Sequence, residues 1–285
     1  MKKKSLGIAL SAALIAATTP VIAYEECPFS GFYGGVQLGG NFLSGRETVG
    51  TSGSTAIGVP VVSLESINTF SKRAVRRNSF AGEIFAGYGC DIWDQVYLGA
   101  EIFVKGARAT ATNVDDANSA ILTAPATTLS QDIATQVRTR LRPWEFGIDF
   151  RPGFLLCDDA LLYGRVGYSY NRASIRTATT YSSSLTVAGV TTAFPTNSVI
   201  VDSHRHTGAL RLGLGLEQEL CDNLTLRTDY TYSRYRKVNT SGSNALLSAL
   251  VIPGAAPVPI SSTVSNNTTS RLISHAFMIG LSYYW

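Results

Sequence analysis

Trp144-Glu145-Phe146-Gly147-Ile148-Asp149-Phe150-Arg151 alternates between apolar positions and positions that are charged or glycine. Successive side chains of a β-strand point to opposite faces. Read that way, Trp144, Phe146, Ile148 and Phe150 share one face, and Glu145, Asp149 and Arg151 share the other. A soluble β-sandwich alternates too, but it turns its charged face to water and its apolar face to a core. Here the aromatic residues gather at segment ends, as an interfacial girdle requires. The segment is also about ten residues long, the length of a tilted strand crossing a hydrocarbon layer.

The same pattern recurs along the chain. In the first strand, Phe32 to Phe42, Phe32, Val36, Leu38 and Phe42 oppose Tyr33, Gln37 and Asn41. Phe80, Ile84 and Tyr88 oppose Glu83, and Leu98, Ala100, Ile102 and Val104 oppose Glu101 and Lys105. Leu162, Val166, Tyr168 and Tyr170 oppose Arg165 and Asn171. Leu210, Leu212, Leu214 and Leu216 oppose Arg211 and Glu217, and Leu226, Tyr230 and Tyr232 oppose Arg227 and Asp229. The final strand places Phe277, Ile279, Leu281, Tyr283 and Trp285 on one face.

The four cysteines, Cys27, Cys90, Cys157 and Cys221, set a period of 63, 67 and 64 residues, and Trp285 lies 64 further on. Cys90-Asp91-Ile92, Cys157-Asp158-Asp159 and Cys221-Asp222-Asn223 open similar turns. A regular period is an architectural statement. Each repeat holds one strand up, a long polar segment and one strand down, so four hairpins give eight strands.

Lys2, Lys3 and Lys4 precede a short apolar run from Leu6 to Ala17, and Val21-Ile22-Ala23 fits a cleavage site. Residues 1–23 therefore read as a secretory signal peptide, and 24–285 as one barrel domain. Without that segment the 24 basic residues fall to 21, against 20 acidic, so the formal +4 becomes +1. No nucleic-acid partner is expected. Charged residues make up 15% of the chain, against about 25% in a typical soluble domain. The remaining sequence has no apolar run of the ~18 residues that a membrane helix needs. An exported chain of this kind enters a membrane as a closed barrel, because lipid offers no partner to an open sheet edge.

At the level of residues, Gly31-Phe32-Tyr33-Gly34-Gly35-Val36-Gln37-Leu38-Gly39-Gly40 resembles the first strand of the outer-membrane β-barrel family, which includes opacity-type proteins and the transmembrane domain of outer-membrane protein A. Arg211-Leu212-Gly213-Leu214-Gly215-Leu216-Glu217 resembles that family's late-strand pattern. Phe277, Ile279, Leu281, Tyr283 and Trp285 resemble the terminal signal read by the barrel-insertion machinery. The resemblance implies an all-β, antiparallel, up-and-down transmembrane barrel of eight strands, with short periplasmic turns and four long extracellular loops, in the outer membrane of a Gram-negative cell. The long loops and the four cysteines depart from the common pattern. No periplasmic domain is expected after Trp285, so no wall-anchoring role is carried over.

By parity the lumen holds Glu83, Glu101, Glu145, Asp149, Glu217 and Asp229 against Lys105, Arg151, Arg165, Arg211 and Arg227. An eight-stranded barrel is only wide enough for side chains to fill, and buried charges must pair. A plug of ion pairs is the first reading and a narrow ion path the second. The inward glycines Gly35, Gly39, Gly213, Gly215 and Gly280 leave room for a path. An oxidising compartment favours disulfides among Cys27, Cys90, Cys157 and Cys221, with three connectivities open. His204 and His206 share a face without an evident third ligand, so neither metal nor cofactor is expected. Ser203-His204 and Ser274-His275 permit a lipid-acting enzyme, but no GxSxG occurs.

The four long segments run roughly over 43–79, 106–136, 172–203 and 236–269. Each is polar yet holds an apolar patch, and these patches contain Val59, Val61, Ile121, Leu122, Val187, Val251, Ile252 and Ile260. Segments this long are functional or disordered when they carry no structure of their own. Either they are loops presenting contact residues, or the strands extend above the membrane and the patches pack on one another. Lys72, Arg73, Arg76 and Arg77 in the first segment attract lipopolysaccharide phosphate or mark a solvated strand start, the latter reading being preferred. The sequence reads first as a monomeric, non-enzymatic surface protein with a structural, adhesion or host-interaction role. Its expected partners are outer-membrane lipid, lipopolysaccharide, and a host surface or envelope protein. A small low-conductance porin comes second and a lipid-modifying enzyme third.

Overall fold

The computed structural model describes residues 28–57, 62–63, 67–93, 95–107, 109–114, 118–124, 127–250 and 258–285. The expected signal peptide, Cys27, Val59, Val61, Val251 and Ile252 lie outside the described residues. The strands are β1 (Gly31–Ile57), β2 (Val62–Ser63), β3 (Ile67–Trp93), β4 (Val96–Ala107), β5 (Ala109–Val114), β6 (Asn118–Ala124) and β7 (Thr127–Leu141). They continue as β8 (Trp144–Cys157), β9 (Ala160–Val187), β10 (Val190–Ala193), β11 (Asn197–Cys221), β12 (Leu224–Tyr235), β13 (Val238–Leu250) and β14 (Val258–Tyr284).

Eight of these close a ring in the order β1-β3-β4-β8-β9-β11-β12-β14, with β14 returning to β1. All neighbours are antiparallel. Closure removes every unpaired edge, the condition for residing in lipid. Chain neighbours are ring neighbours because the turns at one end are tight, as between Cys157 and Ala160 and between Cys221 and Leu224. That end also holds the C-terminus, where the Trp285 amide donates to Phe32 O at 2.9 Å.

The outward positions make an apolar band bounded by aromatics. Phe32, Tyr88, Phe154, Tyr283 and Trp285 lie at the turn end, and Phe42, Phe80, Trp144, Tyr170 and Phe277 at the far side. In water such a face would be a liability; in lipid it is the membrane-spanning surface.

The four long segments are largely strand. β1 pairs β14 without interruption from Tyr33↔Tyr284 to Ile57↔Ile260. A strand needs about 9–11 residues to cross the hydrocarbon, so these two run on for roughly 15 residues beyond it. Where β8 ends its partnership with β9, β7 takes over from Leu141↔Ala173 to Thr127↔Val187. Likewise β13 succeeds β12 beside β14. Of the two readings of these segments, extension of the strands is the one the structure shows. The apolar patches partly pack inward: Ile57, Leu185 and Ile260 meet Leu129 and Phe194 at the outer tip. Ile260, expected as a contact residue, is therefore buried. Ile121 and Val187 face solvent, and Leu122 lies in β6.

The interior is layered along the axis. Phe29, Tyr33, Tyr97, Leu161 and Tyr284 close the turn end. Charged residues fill the middle, and Leu43, Val137, Ile175 and Leu272 lie above them. Higher still, Thr135, Thr177, Thr179 and Thr268 form a hydroxyl layer, in which Thr177 and Thr268 meet at 3.1 Å. Ile133, Tyr181, Val199 and Val264 follow.

The expected disulfides do not form among the three described cysteines: Cys90, Cys157 and Cys221 are free thiols. Ring order explains this. The three lie on β3, β8 and β11, each two strands from the next. Two strand spacings are about 9–10 Å, beyond the ~7 Å Cα separation that a disulfide tolerates.

Candidate functional site

The charged layer is built by parity. Glu83 lies on β3, Glu101 and Lys105 on β4, Glu145, Asp149 and Arg151 on β8, and Arg165 on β9. Arg211 and Glu217 lie on β11, and Arg227 and Asp229 on β12. Each projects inward, and each side chain is buried. Arg151, Arg165, Arg211 and Arg227 are among the largest fully buried side chains of the chain.

Glu101 is the hub. Arg227 Nη1 donates to its Oε2 at 2.7 Å and Nη2 to its Oε1 at 3.2 Å. Arg165 Nη2 also donates to Oε1, and Arg151 Nη1 lies 3.6 Å from Oε2. Asp229 receives Arg227 Nε and the Tyr163 hydroxyl, each at 2.7 Å. Glu217 accepts from Arg151 at 2.6 Å, Thr225 at 2.6 Å and Tyr284 at 3.0 Å. Glu83 accepts from Gln37 at 2.8 Å and from Arg211 at 3.3 Å. Asp149 sits 3.3 Å from Arg165 and 3.5 Å from Arg211 without a hydrogen bond. Above the hub, Lys105 donates to Asn41 at 2.9 Å and Tyr235 to Glu145 at 2.8 Å. Glu83, Glu101, Glu217 and Asp229 thus each meet several donors, which offsets the cost of taking charge out of water.

Aromatic rings fill the remaining space. Arg211 lies 3.5 Å from the Phe103 ring centroid, Arg151 3.8 Å from that of Tyr163, and Arg227 4.0 Å from that of Phe85. Stacking of this kind suits the weakly hydrated guanidinium. Each ring faces a glycine on the neighbouring strand: Phe85 is paired with Gly35, Phe103 with Gly147 and Tyr163 with Gly215. A Cβ on Gly35, Gly147 or Gly215 would come within 2.6 Å of that ring. Gly35, Gly147 and Gly215 therefore make room for aromatic side chains. A void of about 10 Å³ beside Asn41, Lys105, Glu145 and Tyr235 has room for about one water molecule.

The sequence reading did not name these aromatics as part of the site. A signal was available, since Phe85, Phe103 and Tyr163 share the parity of Glu83, Glu101 and Arg165 on their own strands. Glu47 is also buried, in the upper storey, and accepts from Thr139.

The serine–histidine pairs do not assemble. Ser274 points inward and donates to Asn41 Oδ1 at 2.6 Å, while His275 points outward, with Nδ1 2.8 Å from the Tyr230 hydroxyl. Adjacent strand residues face opposite sides, so neither histidine can serve the serine beside it. His204 is exposed, 3.6 Å from Asp202. Among the described residues no three His, Cys, Asp or Glu side chains group as metal ligands.

The family described as outer membrane protein beta-barrel domain matches residues 9–252. Among solved structures, the chain is similar to Ail, the attachment invasion locus protein of Yersinia pestis, at 11% identity over 79% of this chain and 98% of that one, with a TM-score of 0.26. It is similar to Neisserial surface protein A at 12% identity over 84% and 97%, with a TM-score of 0.31. It is also similar to the outer membrane protease OmpT of Escherichia coli, at 10% identity over 94% and 100%, with a TM-score of 0.25. Scores this low carry no functional argument. No curated protein matches the chain.

Proposed function

The chain belongs to the outer membrane protein beta-barrel domain family, and from that premise we propose that it is a monomeric, non-enzymatic surface protein of the Gram-negative outer membrane, with a plugged lumen and a contact surface at its outer tip. Residues 1–23 direct its export, and the outward row Phe277, Ile279, Leu281, Tyr283 and Trp285 serves the insertion machinery.

The observation that carries this reading is the pairing of a filled lumen with strands that run on well beyond the membrane. Four buried arginines and their carboxylates occupy the barrel where a solute would pass. Beyond the membrane the strands remain hydrogen-bonded to Ile57↔Ile260, forming a stiff stalk. Its outer part exposes Ile121, Val190 and Leu247 at 67%, 69% and 81%, and Val187 is exposed opposite Val190. Exposed apolar side chains on a rigid support suit contact with a host surface or another envelope protein. What weighs against a pore is that aromatic rings cover Gly35, Gly147 and Gly215 and buried arginines lie among them. Against a lipid-acting enzyme stands the separation of Ser274 from His275 across the wall.

The test is attachment of cells displaying the chain to a cultured epithelial monolayer and to plain polystyrene. Ile121→Ser, Val190→Ser and Leu247→Ser combined should lower attachment while leaving the folded-barrel shift on unheated gels intact. Attachment equal to that of the parent chain would contradict a contact role for the tip.

A further inference from the structure

Above the membrane the ring of eight parts into two half-shells. β13, β14, β1 and β3 form one, and β11, β9, β7 and β5 the other. β12 pairs β11 as far as Ala209↔Tyr235, but β13, which follows it, pairs only with β14. The ladder of β11 with β9 meanwhile continues without a shift to Asn197↔Tyr181. From Asn197 to Gly208, β11 therefore has a ladder on one edge only.

Parity assigns the backbone of the open edge. In an antiparallel ladder a residue's N–H and C=O point to the same side, and alternate residues point to opposite sides. Gly208 O accepts from the Arg236 amide at 2.9 Å, and Ser198 O accepts from Asn244 Nδ2 at 2.8 Å. Both therefore face the seam between β11 and β13. So do the amides and carbonyls of Asp202, His204 and His206, which share their parity. Asn244 O accepts from Asn197 Nδ2 at 3.4 Å, so Thr240 and Gly242 of β13 face the seam from the other side. The two strands are pinned at both ends of this stretch, and among the described residues no ladder joins them in between. An open strand edge is a template for a further strand.

A cleft of about 650 Å³ opens in the lower part of the seam, with Tyr168 and Tyr170 of the outer girdle at its membrane edge. Its volume falls within the roughly 300–1,000 Å³ of ligand pockets. From Asp202 to Gly208 the edge is about 20 Å long at ~3.3 Å per residue, enough for an extended segment of about six residues. Arg205, Arg236 and Lys237 line the cleft against one carboxylate, Asp202, which lies 3.6 Å from His204. Arg205 has the inward parity of its strand yet is exposed, because the seam leaves it uncovered. Thr240, 4% exposed, also lines the cleft, and its hydroxyl has no partner among the described residues. An occupant that suits this cleft is narrow and extended, offers backbone donors and acceptors, and carries negative charge.

We propose that the β11–β13 seam is a docking groove for an extended acidic segment of a partner protein, which adds to the open edge of β11 as a strand while its carboxylates meet Arg205, Arg236 and Lys237. In strand addition the main-chain bonds supply affinity and the flanking side chains supply selectivity; here the selectivity is for acid. The inference rests on the membrane placement of the barrel but not on the contact role of its tip.

The full exported chain, refolded in zwitterionic micelles, is titrated with a fluorescent peptide of alternating valine and glutamate. The peptide should bind saturably, at one site per barrel. The same peptide with its backbone amides methylated keeps every charge but cannot pair as a strand. It should bind at least about tenfold more weakly, the effect of losing two or more hydrogen bonds. A peptide of alternating valine and lysine should not bind. These comparisons on the unmodified protein need no variant to fold. His204→Pro removes one seam-facing donor and leaves the β9 ladder intact, so it should weaken the acidic peptide several-fold with the gel shift of the unheated barrel unchanged. Asp202→Asn should bind at least as tightly as the parent chain. Equal binding of the methylated and unmethylated peptides would overturn the proposal, marking the cleft as a charge patch open to any polyanion. Absence of saturable binding would overturn it as well. So would a peptide-free dimer whose dissociation alone frees the site, which would assign the edge to a second copy of the chain. The gel shift reports separately on the membrane fold, and the attachment assay on the tip.

Discussion

Arg227 on β12 grips Glu101 on β4 through both guanidinium arms, at 2.7 and 3.2 Å, and these two strands stand four places apart in a ring of eight. The bond therefore spans the lumen from wall to wall. Arg211 on β11 and Glu83 on β3, 3.3 Å apart, form a second such diameter. Crossed tie-bars inside a closed wall do two jobs: they occupy the bore, and they fix the ring's cross-section.

Neutralising the hub should be expensive. Glu101→Gln leaves Arg227, Arg165 and Arg151 facing one another with their shared counter-charge gone. The expected loss is about 3–5 kcal/mol, the range for removing one partner of a buried ionic network. Asp149→Asn should cost less than half of that, because Asp149 accepts no hydrogen bond. Denaturant unfolding of both variants in vesicles checks this, and equal losses would contradict the assignment of Glu101 as hub.

The aromatic–glycine pairs give a steric prediction. A Cβ at Gly215 would come 2.3 Å from the Tyr163 ring and 2.4 Å from Asp229 Oδ1, whereas one at Gly50 meets nothing nearer than 3.9 Å. Gly215→Ala should destabilise the barrel by ~1–3 kcal/mol, the usual cost of overpacking. Gly50→Ala should be close to neutral. Unfolding midpoints in the same lipid read both, and a neutral Gly215→Ala would mean that Tyr163 is not seated there.

How much of this was legible beforehand depended on contrast between faces. Within the membrane the contrast is strong, as between Phe146 and Glu145 or Leu212 and Arg211, and parity alone sorts the two faces. In the stalk it vanishes. Thr135, Thr177 and Thr268 point inward, while Gln136, Ala178 and Thr269 point outward, so hydropathy alternation carries no signal there. That is why strands of 25 or more residues read as polar loops. The lumen aromatics were hidden for another reason. Phe85 and Phe103 share the face of Glu83 and Glu101, but a search for charges on that face passes over apolar rings, and their seating against Gly35 and Gly147 needs the register. The seam cleft depends on where β12 gives way to β13, which no local pattern announces.

The thiols offer a chemical check. Cys157 and Cys221 are exposed at the turn end and Cys90 is half-buried there. Maleimide added to the folded protein should label Cys157 and Cys221 quickly and Cys90 more slowly, under non-reducing conditions. Mass spectra showing any two of these three joined would contradict the ring order.

Continuity of the stalk can be read by proteolysis. Arg73, Arg76 and Arg271 lie in paired strands well outside the hydrocarbon. Trypsin acting on intact cells should leave them uncut for as long as the barrel itself survives, since cleavage requires a locally unfolded backbone. Rapid cutting at Arg271 would show that the β1–β14 ladder ends at the membrane.

The filled lumen is most directly tested by single-channel conductance of the refolded chain from residue 24 to 285 in a planar bilayer, with insertion verified independently. The expected record is flat at all moderate voltages, because the Glu101–Arg227 and Glu83–Arg211 bridges and the rings around them leave no continuous path. Steady, reproducible conductance steps from the unmodified protein would contradict the plug and make the barrel a pore.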